Sequence, residues 1–398
     1  ISSDKLPRRN AIPILYTRGT HYEVGFDVGR TFGYIIKNFL NIYEPLTCSY
    51  LKLYNTPAGK EVYNDTLESV KKSFPQYVRE LEGIADGAQV EFHKIFLLHL
   101  DEILPQALAD KDCKCKLQQP VGCSTVLVNQ EDCQLLGHTE DALAETLCHF
   151  YYVDAHIISD TPQGKYNVKE EKFFSLCYAG SLPGYTMSYN HHGLVFSINT
   201  ISATHLRSGK TPRTFITRAL LAAENYEQAE MILKDAGVGA ADSCSINMAF
   251  LRTPCKERIF YNVEMGPAVG DVKESQLDIK TITLGQCNYH CNRYERLGAN
   301  QNNQLMLDSS DSRMKAFDAY SEPKTMNELI QMLGDTSREP HTVFRDNGDL
   351  SELVKTIVVV IFDLQKLTIT LYSDNPRNNK PLAILPIHLK EVEESCKY

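Results

Sequence analysis

The stretch Pro120-Val121-Gly122-Cys123-Ser124-Thr125 decides how this chain is read. It joins a polar linker, residues 110–119, to the strand-like run Thr125-Val126-Leu127-Val128. Glycine tolerates backbone geometry that other residues resist. The Cys123 thiol is then set to attack the Gly122 carbonyl, form a thioester and lose it to water. Such a cut leaves Cys123 as a new N-terminus. Its α-amine, with an unperturbed pKa of about 7.7–8.0, serves as base for its own thiol. The chain becomes a 122-residue α fragment, residues 1–122, and a β fragment, residues 123–398, of 398 − 122 = 276 residues. From the dipeptide alone a buried structural cysteine is the default reading, since the chain holds 12 cysteines, and only the rest of the chain changes that.

Composition narrows the field. With 398 residues and 43% hydrophobic content, the chain can bury a large core. A net charge of −9, without a long basic block, argues against nucleic acid or an anionic membrane as partner. It suits a cationic small molecule. No apolar run reaches the roughly 18 residues of a membrane helix. The segment from Ile1 to Arg9 lacks a signal-peptide core. The cysteines form no pairing framework, and Cys113/Cys115 and Cys287/Cys291 have no second half at zinc-site spacing. We therefore expect reduced thiols in a cytoplasmic protein, with the Asn64-Asp65-Thr66 sequon silent.

The first hundred residues read as helical. Leu67, Val70, Phe74, Val78, Leu81 and Ile84 recur at helical spacing, with Gly87 as terminator, and a second helix is expected over 91–104. Gly25, Gly29 and Gly33 lie four apart, as a closely packed helix or as loop glycines. After Cys123 the pattern changes to strands, expected at 124–129, 134–138, 149–158, 173–178, 194–201, 245–251, 259–263 and 279–284. Helices are expected after Thr211-Pro212 and at Asn225, the latter ended by Gly237. A hairpin over 356–362 and 367–372 closes the chain. Helices, then strands, then helices suit two packed sheets covered by helices.

Four polar residues can be set against Cys123. Asp141 follows the second strand, Asn199 ends Gly193-Leu194-Val195-Phe196-Ser197-Ile198-Asn199, Asn292 lies in Asn288-Tyr289-His290-Cys291-Asn292, and Arg313 lies in Ser309-Ser310-Asp311-Ser312-Arg313. Each alone reads as a turn cap or a surface ion-pair partner. Their order resembles the isopenicillin-N acyltransferase and conjugated-bile-salt hydrolase/penicillin V acylase branch of the N-terminal nucleophile hydrolases. The resemblance covers nearly the whole chain, including Tyr22-Glu23-Val24-Gly25 and Leu81-Glu82-Gly83-Ile84-Ala85-Asp86-Gly87. Within that branch, residues 92–105, 137–143, 169–199 and 237–241 are similar to hydrolases of N-β-alanyl biogenic amines.

The resemblance implies an α+β fold, a four-layer αββα sandwich with two mostly antiparallel sheets. It implies autocleavage at Gly122-Cys123, no cofactor, and hydrolysis of β-alanyl-dopamine and β-alanyl-histamine through a thioester on Cys123. The α and β fragments would stay together, with a dimer of αβ units as one assembly. Asp141 would orient the α-ammonium, and Asn199 and Asn292 would serve the oxyanion, each donor lowering the barrier by about 2.7–4 kcal/mol. Arg313 would lower the thiol pKa and orient Asp141. Two rival readings remain: acyl transfer from a thioester donor to an amine, and an uncleaved binding protein without catalysis.

Substrate-reading residues are less marked. Glu140 and Glu145 are candidates for a β-alanyl ammonium, with solvated surface carboxylates as the plain alternative. Tyr185 and Tyr189 are candidates for an aromatic amine, with core packing as the alternative. His191-His192 suggests a ligand pair, but adjacent residues seldom face one ion, and no metal site is expected.

Overall fold

The computed structural model describes residues 8–108, 122–204, 206–299, 301, 303–346 and 354–390. The linker at 110–119, with Pro120 and Val121, lies outside the described residues. Along the chain come β1 (Ile14–Gly19), α1 (His21–Ile42), a π-helical turn (Pro45–Tyr50), α2 (Leu51–Tyr54), α3 (Pro57–Ser73), α4 (Pro75–Ala88), α5 (Phe92–Leu97) and α6 (Ile103–Leu108). Then come β2 (Gly122–Gln130), β3 (Cys133–Leu143), β4 (Phe150–Ile158), β5 (Glu170–Tyr178), β6 (Thr186–Asn190) and β7 (Leu194–Ile201). They are followed by α7 (Arg213–Leu220), α8 (Tyr226–Lys234), β8 (Ser243–Phe250), β9 (Phe260–Gly266), β10 (Gln276–Ile282) and β11 (Gln286–His290). The last elements are α9 (Gln304–Phe317), α10 (Met326–Leu333), β12 (Val354–Asp363), β13 (Thr368–Tyr372) and β14 (Ala383–Pro386).

The strands form two sheets, ordered β1-β4-β5-β6-β7-β8-β9-β10 and β11-β2-β3-β12-β13-β14. Only the β1–β4 pair is parallel among these pairings. Alternation along each strand sorts side chains between two interiors. On β2 and β12, Leu127, Val358 and Val360 meet Phe150, Phe174 and Val195 between the sheets. Val126, Val128, Val359 and Ile361 point the other way, onto Phe317, Leu329 and Leu333 of α9 and α10. The larger sheet covers its outer face with α1, α3, α4, α7 and α8. Helices, sheet, sheet, helices is the expected αββα order.

Two expected helices are interrupted. The 67–87 run is α3 and α4, broken where Pro75 lacks an N–H and Phe74 leaves helical geometry at φ −136°, ψ 52°. Gly87 does not end α4, because Gln89 takes the left-handed cap at φ 55°. The 91–104 run is α5, a 3₁₀ turn over Leu98–Leu100, and α6, which carries Pro105 inside its first turn. The helix at Asn225 is capped by that side chain, yet Asp235, not Gly237, is its left-handed end.

Gly25, Gly29 and Gly33 do mark a packed helix. A Cβ at Gly25 would lie 2.1 Å from the Glu80 carbonyl oxygen, and one at Gly29 2.3 Å from that of Ile84. Gly83 and Gly87 answer from α4, at 2.2 Å from the carbonyls of Tyr22 and Phe26. The two backbones touch without side chains between them. Arg218 of α7 then clamps this layer to the sheet, bonding Glu80 of α4 at 2.8 Å and Glu171 of β5 at 2.9 Å. Gly29→Ala should therefore lower unfolding free energy by about 1–3 kcal/mol through overpacking. Gly33→Ala, whose Cβ meets Ala88 Cα at a comfortable 3.5 Å, should be neutral or gain up to about 1 kcal/mol of helix propensity. Urea unfolding of both variants checks this, and equal effects would contradict backbone contact.

Candidate active site

The site sits where β2 begins, between β3 and β11. The β2–β3 hairpin turns over two residues, since Gln130 pairs with Cys133, and this register sets Cys123 opposite Glu140 and Gly122 opposite Asp141. Period-two alternation then sends Cys123, Thr125, His138 and Glu140 between the sheets. Gly122, Ser124 and Asp141 face α9 and the segment around Arg345.

Gly122 is explained by space. Its φ is not positive. A Cβ there would lie 3.1 Å from Arg313 Nη2 and 3.2 Å from Arg345 Nη2. Two guanidiniums therefore press on the Gly122–Cys123 junction. Arg313 is fully buried on α9. Its Nη1 donates to the Cys123 carbonyl at 2.6 Å and to Ser124 Oγ at 3.0 Å, and its Nη2 donates to Asn292 Oδ1 at 2.8 Å. The cation beside Asp141 is Arg345, at 3.4 Å, and Arg345 also bonds Ser309.

Asn292 is oriented without ambiguity. Its oxygen accepts from the Cys123 backbone nitrogen at 2.7 Å as well as from Arg313, while its amide nitrogen donates to the Thr200 carbonyl at 2.8 Å. Both partners of the oxygen are obligate donors. Asn292 is thus built to hold the nitrogen of Cys123, with its own N–H groups directed at Thr200. Asn199 shows the reverse. Its oxygen accepts from Thr125 Oγ1 at 3.0 Å and Asn247 Nδ2 at 2.8 Å, and its own Nδ2 is buried without a partner. That leaves Asn199 Nδ2 as the unspent amide donor of this inter-sheet cluster.

Asp141 is fully buried. Thr356 donates to its Oδ1 at 2.6 Å, and its Oδ2 receives no hydrogen bond. Burial pushes its pKa to about 7, against the pull of Arg345 and Arg313. Burial likewise drives the Cys123 thiol well above its usual range, and Glu140 and Asp141 add to the shift more than Arg313 offsets it. The thiol is therefore held protonated.

Glu140 stands beside that thiol in a full set of hydrogen bonds. His138 Nε2 lies 3.0 Å from its Oε2, Thr186 donates at 3.0 Å, and Tyr178 donates to Oε1. His138 Nδ1 lies 2.7 Å from Thr125 Oγ1. Cys123 Sγ, a His138 nitrogen and a Glu140 oxygen fall within 4.8 Å of one another, a group of metal-ligating type among the described residues. Both ring nitrogens and both carboxylate oxygens are already engaged, so a metal would have to displace these bonds.

A cavity of about 90 Å³ opens next to the site, lined among others by Phe39, Tyr43, Asp101, Ala142, Tyr178 and Tyr185. Tyr185 is thus at the site, its hydroxyl 2.8 Å from Thr200 Oγ1. Tyr189 is elsewhere, stacked on Phe174 in the inter-sheet core. Glu145 lies on the 3₁₀ turn Ala144–Cys148 and does not line the cavity. His191 and His192 belong to the β6–β7 turn, away from Cys123. Sequence reasoning missed His138, Tyr178, Arg345 and Asp101. The two-residue turn at Glu131-Asp132 would have revealed His138 and set it with Glu140 on the Cys123 face, since it fixes the register.

A thiol on the first residues of a central strand, between two sheets of an αββα sandwich, is the arrangement of N-terminal nucleophile hydrolases. The chain belongs to the acyl-coenzyme A:6-aminopenicillanic acid acyl-transferase family, whose sequence model matches residues 128–378. It is also 63% identical over 391 residues to the beta-alanyl-dopamine/carcinine hydrolase of Drosophila melanogaster, covering 98% of this chain and all of that protein. No helix among the described residues is long and apolar enough to cross a membrane.

The Asp141 environment sets a pH signature. Its folded pKa of about 7 lies above the ordinary 3.8. Whatever stability it contributes is present below pH about 4 and is lost as pH rises through 7. In a Cys123→Ala background, the stability advantage of Asp141 over Asp141→Asn should shrink between pH 4 and pH 7.5 in urea melts. An advantage that grows over this range would show a carboxylate stabilised in its ionised form.

Proposed function

We propose that this protein is a self-cleaving cysteine amidohydrolase that releases β-alanine from N-β-alanyl amines, with β-alanyl-dopamine and β-alanyl-histamine as substrates. The observation that carries the substrate is the 63% identity, across 98% of the chain, to the Drosophila hydrolase. The observation that carries the nucleophile is the buried Cys123, with its nitrogen on Asn292 and its carbonyl on Arg313.

Two stages follow. Before the cut, the Cys123 nitrogen is an amide that donates to Asn292, so it has no lone pair to act as a base. The Glu140 carboxylate, within 4.8 Å of Sγ and with Oε1 taking a single hydrogen bond from Tyr178, keeps a lone pair to accept the Sγ proton. The thiolate adds to the Gly122 carbonyl carbon, the C–N bond breaks as the nitrogen gains a proton, and water hydrolyses the thioester. The products are residues 1–122 and 123–398. After the cut, the same nitrogen is an α-amine, still on Asn292 Oδ1, with Asp141 opposite Gly122 on the neighbouring strand. It now takes the Sγ proton. The thiolate adds to the substrate carbonyl, and Asn199 Nδ2 is suited to receive the oxyanion. The amine leaves with a proton, and water frees β-alanine from the thioester. A cytoplasmic location belongs to this reading, supported by described cysteines that are all unpaired.

The family's own name favours a second outcome for the same thioester, aminolysis by an acceptor amine. Turnover of β-alanyl-dopamine with excess histamine would separate them: hydrolysis alone gives β-alanine, and transfer gives β-alanyl-histamine.

The cut is tested on a denaturing gel. The wild-type chain should run as two fragments, and Cys123→Ala as one band of 45.0 kDa without hydrolase activity. Two fragments broken after Gly122 in Cys123→Ala would assign the cut to another protease. Because the buried thiol starts protonated, cleavage of freshly refolded wild-type chain should accelerate as pH rises from 6 to 9. A rate that falls over this range would exclude thiolate attack.

A further inference from the structure

The cavity lined by Tyr178, which bonds Glu140, contains one carboxylate that the reaction described above does not use. Asp101 follows the 3₁₀ turn Leu98–Leu100 and lines the cavity with Phe39, Tyr43, Tyr178 and Tyr185. Arg213 of α7 holds its Oδ2 at 2.9 Å. Its Oδ1 is buried and receives no hydrogen bond. A desolvated carboxylate oxygen without a donor is costly unless a ligand supplies one.

The charges around it leave room for a cation. Arg213 faces Asp101, Glu102 at 3.4 Å and Asp242 at 2.9 Å. One guanidinium thus serves three carboxyl groups. Burial, with Asp101 and Asp242 close by, pushes Glu102 to about 8 against the pull of Arg213, and burial raises Asp242 to about 6. Two hydrogen bonds tie the cavity wall to the residues around the nucleophile. The hydroxyl of its Tyr178 bonds Glu140 beside Cys123 Sγ. The hydroxyl of its Tyr185 bonds Thr200, whose carbonyl receives Asn292. Glu140 is the rival carboxylate, but it already holds His138, Tyr178 and Thr186, whereas Asp101 Oδ1 has no donor at all.

Resting on the hydrolase reading, we propose that Asp101 is the acyl-side specificity residue: its Oδ1 receives the primary ammonium of the β-alanyl group in the cavity walled by Tyr43, Tyr178 and Tyr185. The tyrosine rings add cation–π attraction to a desolvated ammonium. Arg213 fixes the carboxylate's orientation, so the charge-assisted hydrogen bond is preorganised. A neutral acyl group of the same size leaves Oδ1 unpaired and is rejected.

The test compares kcat/KM for β-alanyl-dopamine with that for N-propionyl-dopamine, which lacks only the ammonium, in the cut wild-type enzyme and in Asp101→Asn. Wild type should prefer the β-alanyl amide by about 10²-fold or more, as a site built around a buried hydrogen-bonding group does. Asp101→Asn should lose most of that preference, through a higher KM for the β-alanyl amide and a gain on the propionyl amide, which no longer leaves a buried carboxylate unpaired. Glu145→Gln should leave the preference intact. An Asp101→Asn enzyme that is cut, active on the propionyl amide and still selective overturns the proposal. If Asp101→Asn does not fold, wild type decides alone. Glycyl-, β-alanyl- and 4-aminobutyryl-dopamine should give a maximum at β-alanyl, and a flat series overturns the proposal. Wild type inactive on β-alanyl-dopamine would instead overturn the substrate reading on which it rests.

Discussion

The hydrogen bond from the Cys123 nitrogen to Asn292 Oδ1, 2.7 Å long and closed to water, is the constraint around which the site is arranged. It ties the start of β2 to the end of β11, and Arg313 shares the same oxygen from α9. The acceptor suits both chemical states of that nitrogen, amide before a cut and amine after it. One scaffold therefore fits an intramolecular acyl shift and later turnover with little rearrangement. Burial has the opposite tendency, because it keeps the thiol protonated. On the proposed two-stage chemistry a base must be close in each stage, Glu140 before the cut and the α-amine after it.

Most of the fold was legible because both sheets are covered on both faces. Their inner strands read as continuous apolar runs, and β7 matches its expected bounds of 194–201. β1, β6, β11 and β14 were missed. They are short, and β11 carries Gln286, Asn288 and His290, a pattern that reads as loop until β2 supplies its partner. The helical break at Pro75 was marked in the sequence but overridden by a strong apolar period. At the site, Cys123, Asp141, Asn199, Asn292 and Arg313 were reachable only through their order along the chain. What each one bonds was not, because strand register and side-chain orientation decide it. Asn292 turns its oxygen to Cys123, and Asn199 keeps its nitrogen free, although the two look alike in sequence. Arg345 and Asp101 carry no local signature at all.

Glycine serves two unrelated needs here. In α1 and α4 it lets two helix backbones touch, which builds the outer layer against which Arg218 is buried. At position 122 it makes room for Arg313 and Arg345 beside the junction. Neither use requires a left-handed backbone. In each case the missing Cβ is what matters, and each places positive charge or close packing where a larger residue would exclude it.

The central claim is that Cys123 carries the acyl group as an N-terminal residue. Rapid acid quench of the protein during turnover of β-alanyl-dopamine, followed by peptide mass spectrometry, tests it most directly. The account predicts a β-alanyl adduct on a peptide whose first residue is Cys123. An adduct on another residue, or on an uncut peptide that still contains Gly122-Cys123, would contradict it.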